Sequence, residues 1–404
     1  MALLKLADGV YEVGALDPER ELFDAFMPTP MGTTYNSYIV RGEDKVALID
    51  PVEQPFVGEL FENLDELGVD RIDYLISLHT EQDHSGALWD ILEAYPEAQV
   101  VATQQVQKLL DSHLHYPKEK VKVMKDGEAL DLGGRHLRFH PIPFSHWPDN
   151  TTVYLEEEGI LFSSDLYGSH YAIEGDYSAN SLEQQAGLRQ YYAEIMMPYR
   201  KQCARHVAWT RELNPKAIAP AHGPVWFNPD SILKLYEEWT SDAVKPKVIL
   251  GFVSMHHSTR LMVERFAHRL AKNGLDVITR DIAAHVESLT EETGSLINES
   301  VDAAALVIAA PTVLVGPHPS AVYLAAVMNA MKPKVRYQLF MGSYGWSSKA
   351  AEAVEALTGD LKAERLEPLL VEGLPTEEDY DRIEAVADEL AEKIKSIPAE
   401  ELLS

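Results

Sequence analysis

Residues 72–78 (Ile-Asp-Tyr-Leu-Ile-Ser-Leu) form a short apolar run between polar positions, which predicts a buried strand. The same signature recurs at 136–140, in a hairpin of 153–155 with 159–164, and at 217–220. Further on, 248–253 (Val-Ile-Leu-Gly-Phe-Val) is apolar throughout, as a central parallel strand buried on both faces should be. Residues 306–310 and 335–340 predict two more strands of that kind. The pattern between them changes to helical spacing, with Leu261, Met262, Phe266 and Leu270 closed by Gly274. A terminal helix opens on the cap Thr376-Glu377-Glu378-Asp379 and carries Ile383, Val386, Leu390, Ile394 and Ile397 as a core-facing stripe. The chain is therefore of the α/β class. Its 404 residues suggest two domains, or one large one.

The first predicted strand leads into His79-Thr80-Glu81-Gln82-Asp83-His84-Ser85-Gly86, which places four strong metal ligands in six residues. Imidazoles with carboxylates suit iron, zinc or manganese, whereas thiolates would select softer metals. Four ligands so closely spaced exceed what one metal needs if it keeps a position open for substrate, so the spacing points to two metals. His146 (in Ser145-His146-Trp147), Asp165 and His222 each follow another strand-like run. Strands ending at one edge of a sheet would gather all of these into one cleft. His136, His140, His113 and His115 lack that placement, the first two alternating along a strand and the others lying in a polar segment. His170 and Tyr192 are candidates for supporting or pocket roles near the site.

The order H-x-E-x-D-H, followed by His, Asp and His at growing separation, resembles the metallo-β-lactamase fold. Glu81, standing where that motif usually has a second His, resembles the flavodiiron proteins, whose site holds two irons. A carboxylate is a harder, charged ligand that better matches iron. The resemblance implies one iron on His79, Glu81 and His146, a second on Asp83, His84 and His222, and Asp165 bridging both. Four neutral imidazoles and three carboxylates carry −3, so two ferrous ions would leave the site near +1, a charge that can be partly buried at modest cost.

The second half carries its own resemblance. Ser254, Met255, His256, His257, Ser258 and Thr259 join the 248–253 strand to a helix, an arrangement whose backbone N–H groups can cradle a phosphate. Pro311, Thr312, Val313 and Leu314 follow the next strand, and Gly342, Ser343, Tyr344, Gly345 and Trp346 the one after. Loops at the carboxyl ends of parallel strands are where doubly wound sheets bind ligands. The three loops together look like flavodoxin as fused in flavodiiron proteins. There the first loop holds the phosphate of FMN and the others bracket its ring, with Tyr344 and Trp346 offering stacking surface. One departure stands out: the phosphate loop of that family usually carries a glycine, and here the region reads His256-His257. A bulkier residue constrains the backbone, but a His can also add a hydrogen bond or charge to the phosphate. The implied fold is a metallo-β-lactamase-like αββα sandwich over 1–246, followed by a flavodoxin-like doubly wound parallel sheet over 247–404.

Composition narrows the class. The formal charge of −29 argues against nucleic-acid binding, because phosphates would be repelled. A single cysteine, Cys203, excludes intrachain disulfides, thiolate clusters and a fused rubredoxin-like iron site. The start of the chain turns polar too quickly for a signal peptide, and no run approaches the roughly 20 apolar residues that span a bilayer, so a cytoplasmic protein is expected.

The resemblance implies an oxidoreductase passing electrons from a reduced donor through FMN to a diiron site that reduces dioxygen to water or nitric oxide to nitrous oxide. It also implies a head-to-tail homodimer, or a dimer of such dimers, that brings each flavin beside its partner's irons. Relatives draw electrons from rubredoxin, from a flavin reductase or from the reduced deazaflavin coenzyme F-420. No dinucleotide fingerprint is visible, and the deazaflavin, which hands a hydride directly to FMN, is the favoured donor. Two other classes stay open on sequence alone. A dizinc hydrolase of the metallo-β-lactamase type would use metal-activated water and be colourless. An electron-transfer or sensing flavoprotein would reduce its flavin without turning over an oxidant.

Overall fold

The computed structural model describes residues 3–172 and 181–403. The chain divides into two units, Met1–Phe23, Thr29–Tyr192 and Tyr199–Glu237 forming one and Asp24–Pro28, Ala193–Pro198 and Glu238–Ser404 the other. Two sheets make up the first unit. One runs, edge to edge, through Leu4–Ala7, Val10–Glu12, Tyr38–Arg41, Val46–Ile49, Tyr74–Ile76, Gln99–Thr103 and Lys122–Met124. The other runs through Ala129–Asp131, His136–Pro141, Thr151–Leu155, Ile160–Ser164 and Ala217–Pro220.

Side chains alternate across a strand, and here both faces are used. Tyr38, Val40, Ala47 and Ile49 of the first sheet share a core with Leu137, Phe139, Val153 and Phe162 of the second. The residues between them, such as Ile39 and Leu48, point the other way. With Leu75 and Val100 they pack against Leu60, Leu64, Leu88, Ile91, Val106 and Leu110. Those six lie on the helices Val57–Glu66, Leu88–Ala94 and Gln104–Leu114. Each fully buried Leu or Ile contributes on the order of 1.5–3 kcal/mol. Rigid strands with both faces packed give fixed ends, and the candidate ligands stand at those ends.

The second unit has a parallel sheet in the order Asp276–Asp281, Lys245–Phe252, Ala303–Val313, Tyr337–Tyr344, with Glu364–Arg365 and Leu369–Glu372 both pairing with the last. Numbered along the chain this is 2-1-3-4-5, the doubly wound order in which ligands bind where the connections change direction. Helices cover both faces. Met262, Phe266 and Leu270 of Ser258–Lys272 and Ile383, Leu390 and Ile394 of Glu377–Lys395 bury one face of the sheet. Ala387 and Ala391 complete the buried stripe of the terminal helix, while Val386, expected within it, is only partly buried. On the opposite face, under the helices Ser288–Ser300 and Pro319–Met331, a Cβ at Gly251 would lie 2.4 Å from Leu324 and 2.8 Å from Leu296, so a side chain there would force those leucines to shift. No described helix is long and apolar enough to cross a membrane.

Candidate functional site

Ser77 and Leu78 separate His79 from the Tyr74–Ile76 strand. Glu81 is the N-cap of a short helix, Gln82–Ser85, which presents Asp83 and His84. His146 lies on the connection after His136–Pro141, Asp165 directly follows Ile160–Ser164, and His222 stands two residues past Ala217–Pro220. Three exits from these strands turn through left-handed backbone, at Asp50 (φ 48°), Phe144 (φ 65°) and Ser164 (φ 53°). Each costs about 1 kcal/mol or more, and such strain persists where the surrounding structure imposes it and clusters at functional sites.

All seven residues converge. Glu81 Oε2 lies 3.3 Å from His79 Nε2 and 3.0 Å from His146 Nε2. Asp83 approaches His222 Nε2 at 3.2 Å and His84 Nε2 at 3.7 Å. Asp165 divides its carboxylate between these groups. Its Oδ2 is 3.5 Å from His79 Nε2 and 3.8 Å from His146 Nε2, while its Oδ1 is 2.9 Å from His84 Nε2 and 3.6 Å from His222 Nε2. The result is two ligand triads with one carboxylate between them, one oxygen to each.

The outer ring nitrogens of His79, His222 and His84 face partners. His79 Nδ1 is 3.1 Å from both oxygens of Asp149, which also accepts from the amide and hydroxyl of Thr80 at 2.9 and 2.8 Å. His222 Nδ1 donates to the Thr34 carbonyl at 2.6 Å, which fixes the tautomer whose Nε2 is free to ligate. Asp50 lies 3.6 Å from His84 Nδ1 and is itself anchored by the Leu78 amide at 2.8 Å. Asp165 accepts from Asn150 at 3.0 Å and from the Tyr191 hydroxyl at 2.9 Å.

The electrostatics call for cations. Burial alone would lower the pKa of His79, but the hydrogen bonds with Asp149 and Glu81 and the charge of Asp165 outweigh it and push it up to about 10. Burial likewise raises Glu81, yet His146 and His79 draw it down to about 2, and Asp165 is held well below the carboxylate range by His84 and His79 against its burial. Four buried atoms here have no hydrogen-bond partner: both oxygens of Asp83, Nε2 of His84 and Nε2 of His222. The His84–Asp165 approach is short, but its angle makes no hydrogen bond. Left unmet, such atoms cost roughly 1–3 kcal/mol each. A pair of hard cations satisfies all four, so the donor set fits two irons.

In the second unit, the loops after Lys245–Phe252, Ala303–Val313, Tyr337–Tyr344 and Leu369–Glu372 enclose a groove of about 180 Å3. Ser254, Met255, His256, Ser258, Thr259, Pro311, Thr312, Ser343, Tyr344 and Gly345 line it, as does Gly373. Thr259 and Ser343 join hydroxyls across it at 3.0 Å. A hydroxyl-rich loop at a helix N-terminus and the ring of Tyr344 fit a ligand with a phosphate and an aromatic face. The other residues expected around the flavin lie off the lining. His257 is exposed at the N-cap of Ser258–Lys272, and Gly342 is buried where a Cβ would press to 2.7 Å from the Ala310 carbonyl. Val313, Leu314 and Trp346 are outside it too, the last two 90% and 78% exposed.

A family model described as ODP family beta lactamase matches residues 33–223. The rubredoxin-oxygen oxidoreductase of Megalodesulfovibrio gigas is 31% identical over 98% of this chain and 99% of its own length. The chain belongs to the flavodiiron protein family. Another relative, the coenzyme F-420H(2) oxidase of Methanothermobacter marburgensis, is 32% identical over 89% of this chain and 90% of its own. The nitric oxide reductase of Moorella thermoacetica is 30% identical over 96% and 98%. The solved structure of the rubredoxin oxygen:oxidoreductase from Desulfovibrio gigas superposes with a TM-score of 0.91 at 29% identity, covering 98% of this chain and 99% of that one. The flavodiiron fold is thus a metallo-β-lactamase-like domain plus a flavodoxin-like domain.

Around the ligands of this flavodiiron chain stand residues that sequence reasoning missed. Asp149, Asp50, Asn150 and Tyr191 carry no spacing signal, although Asp149 lies three residues beyond His146. Tyr192 packs edge-on against Tyr236 with ring centroids 5.3 Å apart, and its neighbour Tyr191 reaches Asp165 instead. One residue along a helix rotates a side chain by about 100°, so adjacent tyrosines serve opposite faces. His170 is buried, with Nδ1 3.1 Å from the Thr33 hydroxyl, and burial drives its pKa down to about 3, keeping the ring neutral. His136 pairs with Glu157 at 2.7 Å and His140 stacks on Trp209, both apart from the ligand cluster.

Proposed function

We propose that this flavodiiron protein takes electrons from a reduced donor and delivers them to dioxygen or nitric oxide. Four electrons and four protons convert one dioxygen to two waters; two electrons and two protons convert two nitric oxides to nitrous oxide and water. The observation that carries the reading is the divided carboxylate of Asp165, one oxygen facing each triad. His79, Glu81 and His146 would hold one iron, Asp83, His84 and His222 the other, and Asp165 would bridge them. Bound FMN and iron would supply the redox chemistry, the flavin relaying electrons and the metal pair delivering them to the oxidant.

The protein's own residues set the conditions for it. Asp149 and the Thr34 carbonyl orient His79 and His222, and Asn150 and Tyr191 hold Asp165 in its bridging pose. We assign the metal domain to 1–246 and the flavin domain to 247–404. Ser254, Met255, His256, Ser258 and Thr259 would cradle the phosphate, while Pro311, Thr312, Ser343, Tyr344 and Gly345 flank the ring. Leu314, Trp346 and Met255 on the loops around the groove, with Leu374 after the Leu369–Glu372 strand, are exposed apolar residues of the kind that protein contacts cover. This supports a protein contact at these residues, and the head-to-tail homodimer of the resemblance, in which each flavin serves its partner's irons, is the assembly we propose for it. Reduced coenzyme F-420 and rubredoxin are the donors to try, and the cytoplasm is the compartment we propose.

Dioxygen consumption with a reduced donor tests the reading. Wild type should turn over with two irons and one FMN per chain, and Asp165→Ala should lose both irons and turnover while keeping its flavin. An iron-free variant (His79→Ala with His84→Ala) mixed with a flavin-free one (Ser258 and Thr259 replaced) should regain part of the rate. Full activity with a single zinc would sink the flavodiiron mechanism. Confirmed heterodimers without recovery would remove the head-to-tail assembly alone.

A further inference from the structure

The lining of the flavin groove contains no carboxylate, although acidic residues outnumber basic ones 64 to 35 in the chain. It contains no lysine or arginine either, and His256 is its single basic side chain. The nearest guanidinium along the chain is diverted: Arg260 pairs with Asp281 and lies over the Phe252 ring, 5.1 Å from its centroid. The Arg260 amide is also committed, donating to the Ser254 hydroxyl at 3.2 Å. Backbone amides and hydroxyls at the helix start can hold an anion, but they supply only partial charge. The next residue does a different job. His257 adopts φ 67°, a left-handed conformation that glycine enters without a Cβ penalty, and its side chain is exposed away from the groove.

We propose that His256 and His257 divide the work of the phosphate loop: His256 contributes the side-chain contact that selects the phosphorylated flavin, and His257 contributes only the turn. The inference rests on the reading that the groove binds FMN. It explains how the loop works without its glycine, since the turn is retained at a conformational cost while a cation-capable ring is added beside it. Riboflavin, which has the same ring system and no phosphate, should be blind to His256.

The test is a pair of dissociation constants, for FMN and for riboflavin, measured by flavin fluorescence on the full-length chain stripped of flavin. His256→Ala should weaken FMN about fivefold, the scale of one exposed ionic contact, and leave riboflavin unchanged. His257→Gly should leave the ratio of the two constants as it is in wild type. An unchanged ratio in His256→Ala, or a ratio that shifts in His257→Gly, overturns the division of labour. If the wild-type chain binds neither flavin, the FMN reading itself falls and takes this inference with it.

Discussion

Glu12 ends the strand Val10–Glu12 opposite Tyr38, with 1% of its surface exposed and Oε2 without a partner. Burial pushes its pKa from 4.5 up to about 8. The folded chain therefore keeps a proton that the unfolded chain releases above pH 4.5. Stability is fully present below that value and falls by about 1.4 kcal/mol per pH unit until pH 8 is passed. At pH 7 the accumulated loss is roughly 3 kcal/mol. Glutamine has nearly the same shape and cannot ionise, so Glu12→Gln removes the pH-dependent part. A constant offset from burying an amide is expected as well, and the informative quantity is the slope. The stability difference between variant and wild type, from urea unfolding at half-unit steps between pH 5 and 8, should widen in the variant's favour by about 1.4 kcal/mol per unit. Parallel profiles would refute the reasoning, because they would mean that Glu12 is ionised in the fold or solvated there.

Asp149→Ala leaves all seven ligands in place but frees the His79 ring, and metal affinity should drop by roughly 10–100-fold, read as earlier loss of iron to a chelator than in wild type. Tyr344→Ala should weaken FMN retention by on the order of 1 kcal/mol and more than Trp346→Ala does, because Tyr344 lines the groove whereas Trp346 is 78% exposed outside it. Equal losses in a flavin titration of the two variants would return Trp346 to a stacking role.

The ligand set was legible because metal chemistry forces unusual residues into tight spacing. His79, Glu81, Asp83 and His84 could hardly be a surface accident, and the strand-like runs before His146, Asp165 and His222 showed where to look. The supporting carboxylates were not legible. Asp50 and Asp149 look like any polar loop residue until folding brings them to a ring nitrogen. Tyr191 and Tyr192 are indistinguishable in sequence, and helix phase alone separates them. The parallel strands of the flavin unit announced themselves as unbroken apolar runs, whereas Gly373, on a fourth loop of the groove, follows only the short run Leu369-Leu370-Val371 and carries no motif. Glu12 was invisible for a related reason: in the run Val-Tyr-Glu an acidic residue looks like a solvated strand end, and only the second sheet buries it.

The ligands do not come from one layer. His79, Glu81, Asp83 and His84 follow a strand of the first sheet, whereas His146, Asp165 and His222 follow strands of the second. Ions held by both groups would act as rivets through the sandwich, placed near the strand ends. Elsewhere the layers adhere mainly through apolar contact, with a few hydrogen bonds such as Tyr38 to the Pro220 carbonyl and Thr103 to Thr151, and apolar contact tolerates sliding in a way that coordination bonds do not. A cell short of iron would then contain a sandwich whose working end is the first part to splay, and proteolysis would begin at the very loops that carry the chemistry.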